Sequence, residues 1–269
     1  MDQHIKKYYR QASDEGFSGT FHAVILLHEA PDIGWDSIHK LVPQLTRGWY
    51  ELARLNAKDR IEFTHDYWLT KLPYRTRLQE SIDRFFASLD DIGVFITQKK
   101  FDDPYEIEMV YSLKKNRGFY RGYTPVTDTN LNQFRQHFSS YTLPSDYLAF
   151  LQIHDGFCKT TDTTGLISTE DMARVYSSFQ AMLQQNEPII TRKGTIVNPK
   201  TLIPFYESFG MPFFQCFWAE WYPEQEMGNV YYSGESKTIS DVFAGESSSG
   251  NMAFPTFVDW LMFYLERFV

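Results

Sequence analysis

Only two cysteines occur in 269 residues, Cys158 and Cys216, and they form no Cys-x-x-Cys pair. Two reduced thiols are expected, with Cys216 set among aromatic residues as buried cysteines often are. No run of about 18 apolar residues occurs, which excludes a membrane-spanning helix. Residues 1–14 carry charges and tyrosines where a secretory signal needs an apolar stretch. A cytoplasmic location is the expectation from these absences. Internal repeats and long low-complexity tracts are missing too. So are the common catalytic motifs: there is no Gly-x-Ser-x-Gly elbow and no Gly-Lys-Ser/Thr of a P-loop. None of the seven histidines falls in His-Glu-x-x-His or His-x-x-x-His spacing.

What is present is aromatic surface. Phe, Tyr and Trp make up 17% of the chain, with 23 Phe and 17 Tyr. Each such ring buries a large area, so dense cores are expected and overall disorder is not. Length allows one large domain or two small ones. Charge is split unevenly. Residues 1–125 hold 18 acidic and 18 basic side chains, and residues 126–269 hold 16 and 8, so the whole net charge of −8 lies in the second half. Two units with different surfaces are the expectation. Nucleic acid is an unsuitable partner for the second half, because phosphate contacts need a basic face. An acidic face serves solubility and favours a basic partner.

The clearest break is the segment 118–130, where Gly, Pro, Thr and Asp gather between two patterned regions. The domains expected are therefore 1–125 and 126–269. In the first, the apolar run 21–28 reads as a strand, and Pro43 opens a helix carrying Leu45, Trp49, Leu52 and Leu55. Leu78, Ile82, Phe85, Phe86 and Leu89 mark a stronger helix. Ile92, Val94 and Ile96 alternate, Asp102-Asp103-Pro104 turns, and Ile107, Met109 and Tyr111 alternate again, which is a hairpin. This half reads as a smaller α+β domain of unknown role.

In the second half, Leu143-Pro144-Ser145-Asp146 opens a helix with apolar face Tyr147, Phe150 and Leu151, and Asp155-Gly156 ends it. Ser168 starts a helix with carboxylates in its first turn, carrying Met172, Val175, Tyr176, Phe179 and Met182. Strands are expected at 201–205, 213–218 and 229–232. A Gly/Ser loop at 245–251 precedes a last helix with Phe257, Trp260, Leu261, Tyr264 and Phe268. Helices packed on a mostly antiparallel sheet make an α+β domain.

The order of these elements resembles the SMI1/KNR4 domain of the SUKH superfamily. LPSDYLAFLQIHDGF at 143–157 resembles its opening Leu-Pro helix with a Phe-Leu pair, here Phe150-Leu151, and a terminal Asn-Gly, here Asp155-Gly156. Leu202-Ile203-Pro204 resembles the next strand, Gly228-Asn229-Val230-Tyr231-Tyr232 the Gly-x-Val-Tyr segment, and Phe257-Val258-Asp259-Trp260-Leu261 the closing helix. The family's Gly-Gly-Asp after Pro204 has no match; Ser208-Phe209-Gly210-Met211 is nearest. The resemblance implies a non-enzymatic protein-binding module. Bacterial members resemble immunity proteins that neutralise toxins, and fungal members resemble regulators acting through protein partners.

No metal, cofactor or catalytic residue is expected. Glu62-x-x-His65 has the spacing of half a di-iron site, but no second Glu-x-x-His occurs, so it reads as a partly exposed charged segment. His22 and His28 share strand parity without a carboxylate partner and read as edge residues. His154 and Cys158 stand four apart, yet Gly156 interrupts the helix a Cys-His pair would need. The stretch 245–250 (GESSSG) reads as a mobile loop. The binding candidates lie at Trp218, Glu220, Trp221, Tyr222, Glu224 and Glu226, since Trp and Tyr dominate interface hot spots. Their other reading is a hairpin loop whose aromatics fold back on the core. An unrecognised enzyme with its site between the two domains is the alternative function.

Overall fold

A computed structural model describes residues 3–9, 21–162, 164–184, 188–191, 193–208, 213–240 and 252–266. The expected loop 245–251, Phe268 and residues 209–211 of the Gly-Gly-Asp comparison lie outside the described residues. The chain divides into two units, which fall within Met1–Thr124 and Pro125–Arg267.

The first unit is built on an antiparallel meander of β1 (Ala23–Leu26), β2 (Leu89–Gln98), β3 (Glu106–Leu113) and β4 (Phe119–Tyr123). Its helices are α1 (Gln3–Tyr8), α2 (Trp35–Leu41), α3 (Arg47–Leu52), α4 (Ala57–Lys71) and α5 (Thr76–Ala87). The expected hairpin forms in the register its alternation implies. Ile92, Val94 and Ile96 face Tyr111, Met109 and Ile107, all buried. At its turn the Asp103 carboxylate accepts from the Lys100 N–H at 3.0 Å. Apolar residues of α5 at i, i+4, i+7 and i+8 are buried as expected, whereas Leu89, expected on the same face, begins β2.

Two expectations need correction here. The 21–28 run is a strand only over β1, and Leu27 begins a 3-10 turn that buries it completely. The helix expected to open at Pro43 and carry Leu45 to Leu55 is only the short α3, with Leu45 before it and Leu55 after it. Thr46 accepts from the Trp49 N–H and Asn56 from the Asp59 N–H, so α3 stops and α4 begins afresh. The segment 118–130, the expected domain boundary, holds regular structure: Gly118, at φ 107°, turns the chain into β4, and Thr127 caps the next helix. Helix α4 left little apolar signal because its buried face is Arg60, Thr64 and Trp68. Arg60 donates to the Ile92 and Leu55 carbonyls at 2.5 Å each and to Asp91 at 2.6 Å. Trp68 donates to the Tyr111 hydroxyl at 3.2 Å.

The second unit contains α6 (Asp128–His137), α7 (Ser145–Leu151), β5 (Phe157–Lys159), β6 (Gly165–Leu166), α8 (Thr169–Gln184) and β7 (Ile190–Thr191). It continues with β8 (Leu202–Glu207), β9 (Phe213–Trp218), β10 (Asn229–Ser233), β11 (Thr238–Ile239) and α9 (Phe257–Glu266). Strand order here is β5-β6-β8-β9-β10-β11-β7, and every pair is antiparallel except β11 with β7. Helix α8 packs Phe179 and Leu183 against one face, with Leu202, Phe214, Cys216, Val230 and Tyr232. Tyr176, expected on that face, instead packs on Phe138 and donates to the Lys200 carbonyl at 2.9 Å. Tyr147, Phe205, Phe217, Phe257 and Trp260 form a second cluster under α7 and α9. The protein is α+β. No helix among the described residues is long and apolar enough to cross a membrane.

Candidate functional site

Strands β9 and β10 pair with Cys216 opposite Val230 and Phe217 opposite Asn229, and the 218–226 segment closes this hairpin. The neck of the loop is tied by backbone bonds. Trp218 N–H donates to Gly228 O, Trp221 N–H to Trp218 O, and Gly228 N–H to Trp221 O, each at 2.9 Å. Ala219 N–H adds a bond to Thr201 O at 2.9 Å. Gly228 lies directly under the Trp221 indole: a Cβ there would meet the ring's Cε3 at 2.4 Å. The glycine that opens the Gly-x-Val-Tyr motif is thus required by close approach of an aromatic ring.

The six candidates take three different positions. Trp218 is buried and Trp221 is half-buried against the α8 face of the sheet. Glu226 is spent on the protein itself. Its carboxylate accepts from the Ser145 N–H at 3.0 Å and from the Ser145 hydroxyl at 2.5 Å, holding the start of α7. Glu220, Tyr222 and Glu224 are exposed, Tyr222 to 48%. Pro223 stands among them, and Gln225 adopts a left-handed φ of 68°, so the tip bends sharply away from strand geometry.

Two more carboxylates serve helix starts, a role the sequence reading missed. Asp146, in the first turn of α7, accepts from the Val258 N–H of α9 at 3.0 Å and from Tyr147 N–H at 2.8 Å. Asp155 accepts from the Thr169 N–H of α8. Gly156 follows at φ 108°, the left-handed conformation expected where the helix terminates. Ser168 does cap α8, its hydroxyl accepting from Asp171 N–H at 3.2 Å. Acidic residues at helix N-termini complement the dipole and fill orphan N–H groups. Asn229 completes the frame. Its side chain accepts from Gln215 at 2.7 Å and donates to the Thr256 carbonyl at 2.9 Å, fixing the approach to α9.

The other candidates sit as follows. Cys158 and Cys216 are both buried, and burial pushes the Cys216 thiol well up from its ordinary value. The His154 ring is buried and stacked on Phe157. His65 lies between Asp66 and Asp83, with 2.7 Å from Nε2 to the Asp83 carboxylate. His28 is buried against Gly93, where burial lowers its pKa. His22 stands edge-on to the exposed Phe101 ring. Among the described residues, no group of three His, Cys, Asp or Glu side chains is arranged to hold a metal ion.

The second unit thus defines a class: an α+β domain with helices N-capped by distant carboxylates over a mostly antiparallel sheet, presenting an acidic aromatic hairpin loop. The SMI1/KNR4 family (SUKH-1) matches residues 125–262, and the chain belongs to that family. The family's motifs fall on the start of α7, on β8, on the Gly228 neck of the hairpin and on α9. No curated protein matches the chain.

Proposed function

We propose that this chain is a non-catalytic protein-binding module and that it meets its partner through the 218–226 loop. The observation that carries this reading is the exposure of Tyr222 between Glu220 and Glu224, on a loop held at its neck and by Glu226. A pre-ordered aromatic costs little entropy on binding, and flanking carboxylates select a basic surface. The acidic balance of residues 126–269 supports the same sign of partner. Family membership supports a protein partner, and immunity by neutralising a basic toxin is the activity that fits best; a regulatory scaffold would use the same surface.

The test is capture of partners from the native cell by the intact chain, compared with Tyr222→Ala. A partner held by the loop should bind the variant about 2 kcal/mol more weakly, the size of a hot-spot truncation. Glu224→Lys should slow its association and reduce the salt dependence. Equal binding by all three proteins would refute the assignment of the loop.

A further inference from the structure

His28 stands just past the end of β1, the outermost strand described in the sheet of the first unit. All four residues of β1 are only half-buried, and among the described strands β1 pairs with β2 alone. That pairing ends at Leu26 opposite Phe95, and Leu27 turns into the 3-10 helix. There the His28 imidazole closes over Gly93, which shares a face of β2 with Phe95. A Cβ on residue 93 would meet the ring's Cε1 at 2.6 Å, so the seat requires glycine. The ring also tilts against Phe95, with 5.3 Å between centroids. Its side chain is 2% exposed, and the neighbouring Val94 backbone completes no well-formed hydrogen bond with either ring nitrogen.

The charges around this seat offer a protonated ring little. On the same turn Glu29 lies 3.8 Å from Nε2, but its side chain is 62% exposed. Asp91 of β2 is held by Arg60 of α4 at 2.6 Å and accepts from the Ile92 N–H at 2.7 Å. Arg60 is itself a buried cation, and Arg54 of the segment after α3 holds the Ala30 carbonyl at 2.8 Å, two residues beyond His28. On the face that carries Gly93 and Phe95, Glu108 of β3 pairs with Arg121 of β4 at 3.5 Å. Tyr9, after α1, covers Phe95 with 4.5 Å between centroids. Burial and then Arg60 lower the His28 pKa, against smaller opposing effects of Asp91, Glu29 and the Val94 backbone.

We infer that His28 is an acid-sensitive latch: a proton on the ring drives it from its seat on Gly93 and releases β1 from the sheet edge. The closed state holds the neutral ring, and the opened state takes the proton at the ordinary histidine pKa. The closed edge therefore has its full stability above that range and loses it as pH falls toward the folded pKa. Release leaves backbone groups of β2 unpaired, the kind of edge onto which another strand adds. The latch belongs to the unit outside the family match and stands independently of the 218–226 loop.

Amide hydrogen exchange of the intact chain, followed by NMR between about pH 7.5 and 5.5, is the test. Protection factors of the β1 amides should fall about tenfold for each pH unit below about 6.5, the linkage of one proton, until the folded His28 pKa is reached. Those of β8 and β9 in the other unit should not fall. In His28→Gln, whose side chain takes no proton, the β1 slope should vanish. Titration of the His28 ring signals in the parent chain, a measurement that needs no variant, should give a pKa below the ordinary histidine value. Protection of β1 that does not change with pH, a variant with the parent's slope, or a His28 ring that titrates at or above its ordinary value overturns the proposal.

Discussion

The Asp155 carboxylate accepts both polar hydrogens of Thr169, the backbone N–H and the hydroxyl, at 2.6 Å each. The turn that ends α7 therefore caps the start of α8. Burial pushes the Asp155 carboxyl up, the two Thr169 bonds pull it back, and Glu170 and Asp171 raise it further. With a raised pKa the native state keeps a proton that the unfolded chain has released. The stability this lends is present below the unfolded carboxyl range and is lost as pH rises through the folded pKa. Asp155→Asn removes that loss while keeping an acceptor for the N–H and a donor for the hydroxyl. Urea unfolding at pH 7.5 should find it as stable as the parent or more so. At pH 4.5 the comparison should shift toward the parent. Asp155→Ala should cost about 1–3 kcal/mol at both, from an unsatisfied N–H. Equal losses for Asn and Ala at pH 7.5 would exclude this account.

Gly228 and Trp221 should behave as one unit. Gly228→Ala drives a methyl into the indole, so the ring must leave its place at a cost of about 1–3 kcal/mol. In that background Trp221→Ala should cost little more, a clear departure from additivity. Tryptophan emission and melting temperature of the two single variants and the double variant give the answer. Additive losses would show that the two residues do not depend on each other.

The Glu226–Ser145 contact ties the proposed binding loop to α7. Ser145→Ala should lower stability by about 1 kcal/mol, as loss of a helix cap does. It should also open the loop locally, so a glutamyl endopeptidase should cut faster after Glu220 and Glu224. Unchanged cleavage would mean that the neck bonds alone order the loop.

Arg60 is buried on the polar face of α4 with three separate acceptors. Arg60→Ala should cost about 3–5 kcal/mol, chiefly by removing the charge partner of Asp91 and the guanidinium bonds to the Leu55 and Ile92 carbonyls. Arg60→Lys should recover little, because one ammonium does not span the guanidinium's fork. Full recovery by Lys, measured as the midpoint of chemical unfolding, would contradict this.

Residues 125–269 should fold alone, with a single cooperative melting transition when expressed as a fragment. Its helix caps, its hairpin and both of its aromatic clusters are drawn from within Pro125–Arg267. A broad, non-cooperative transition would count against separate domains.

Local pattern in the sequence was sufficient for α5, the β2–β3 hairpin, the start of α8 and the α9 face. In each, burial follows the helical or strand period, or a cap sits within three residues of its N–H. The family motifs were legible for the same reason, being short runs whose glycines and prolines have local duties. Helix α4 was not, since Arg60 and Thr64 interrupt its apolar stripe and become core residues only when β2 and its carbonyls arrive. Nor were the roles of Asp146, Asp155 and Glu226. Their acceptors and donors are 112, 14 and 81 residues apart. Of the six loop candidates the sequence gives the residue types, and only the tertiary structure separates Trp218, Trp221 and Glu226, turned inward, from Glu220, Tyr222 and Glu224, turned out. Composition shows which groups can pair, but a partner many residues away is chosen by the fold, whose closure entropy is offset by the whole core and not by that bond.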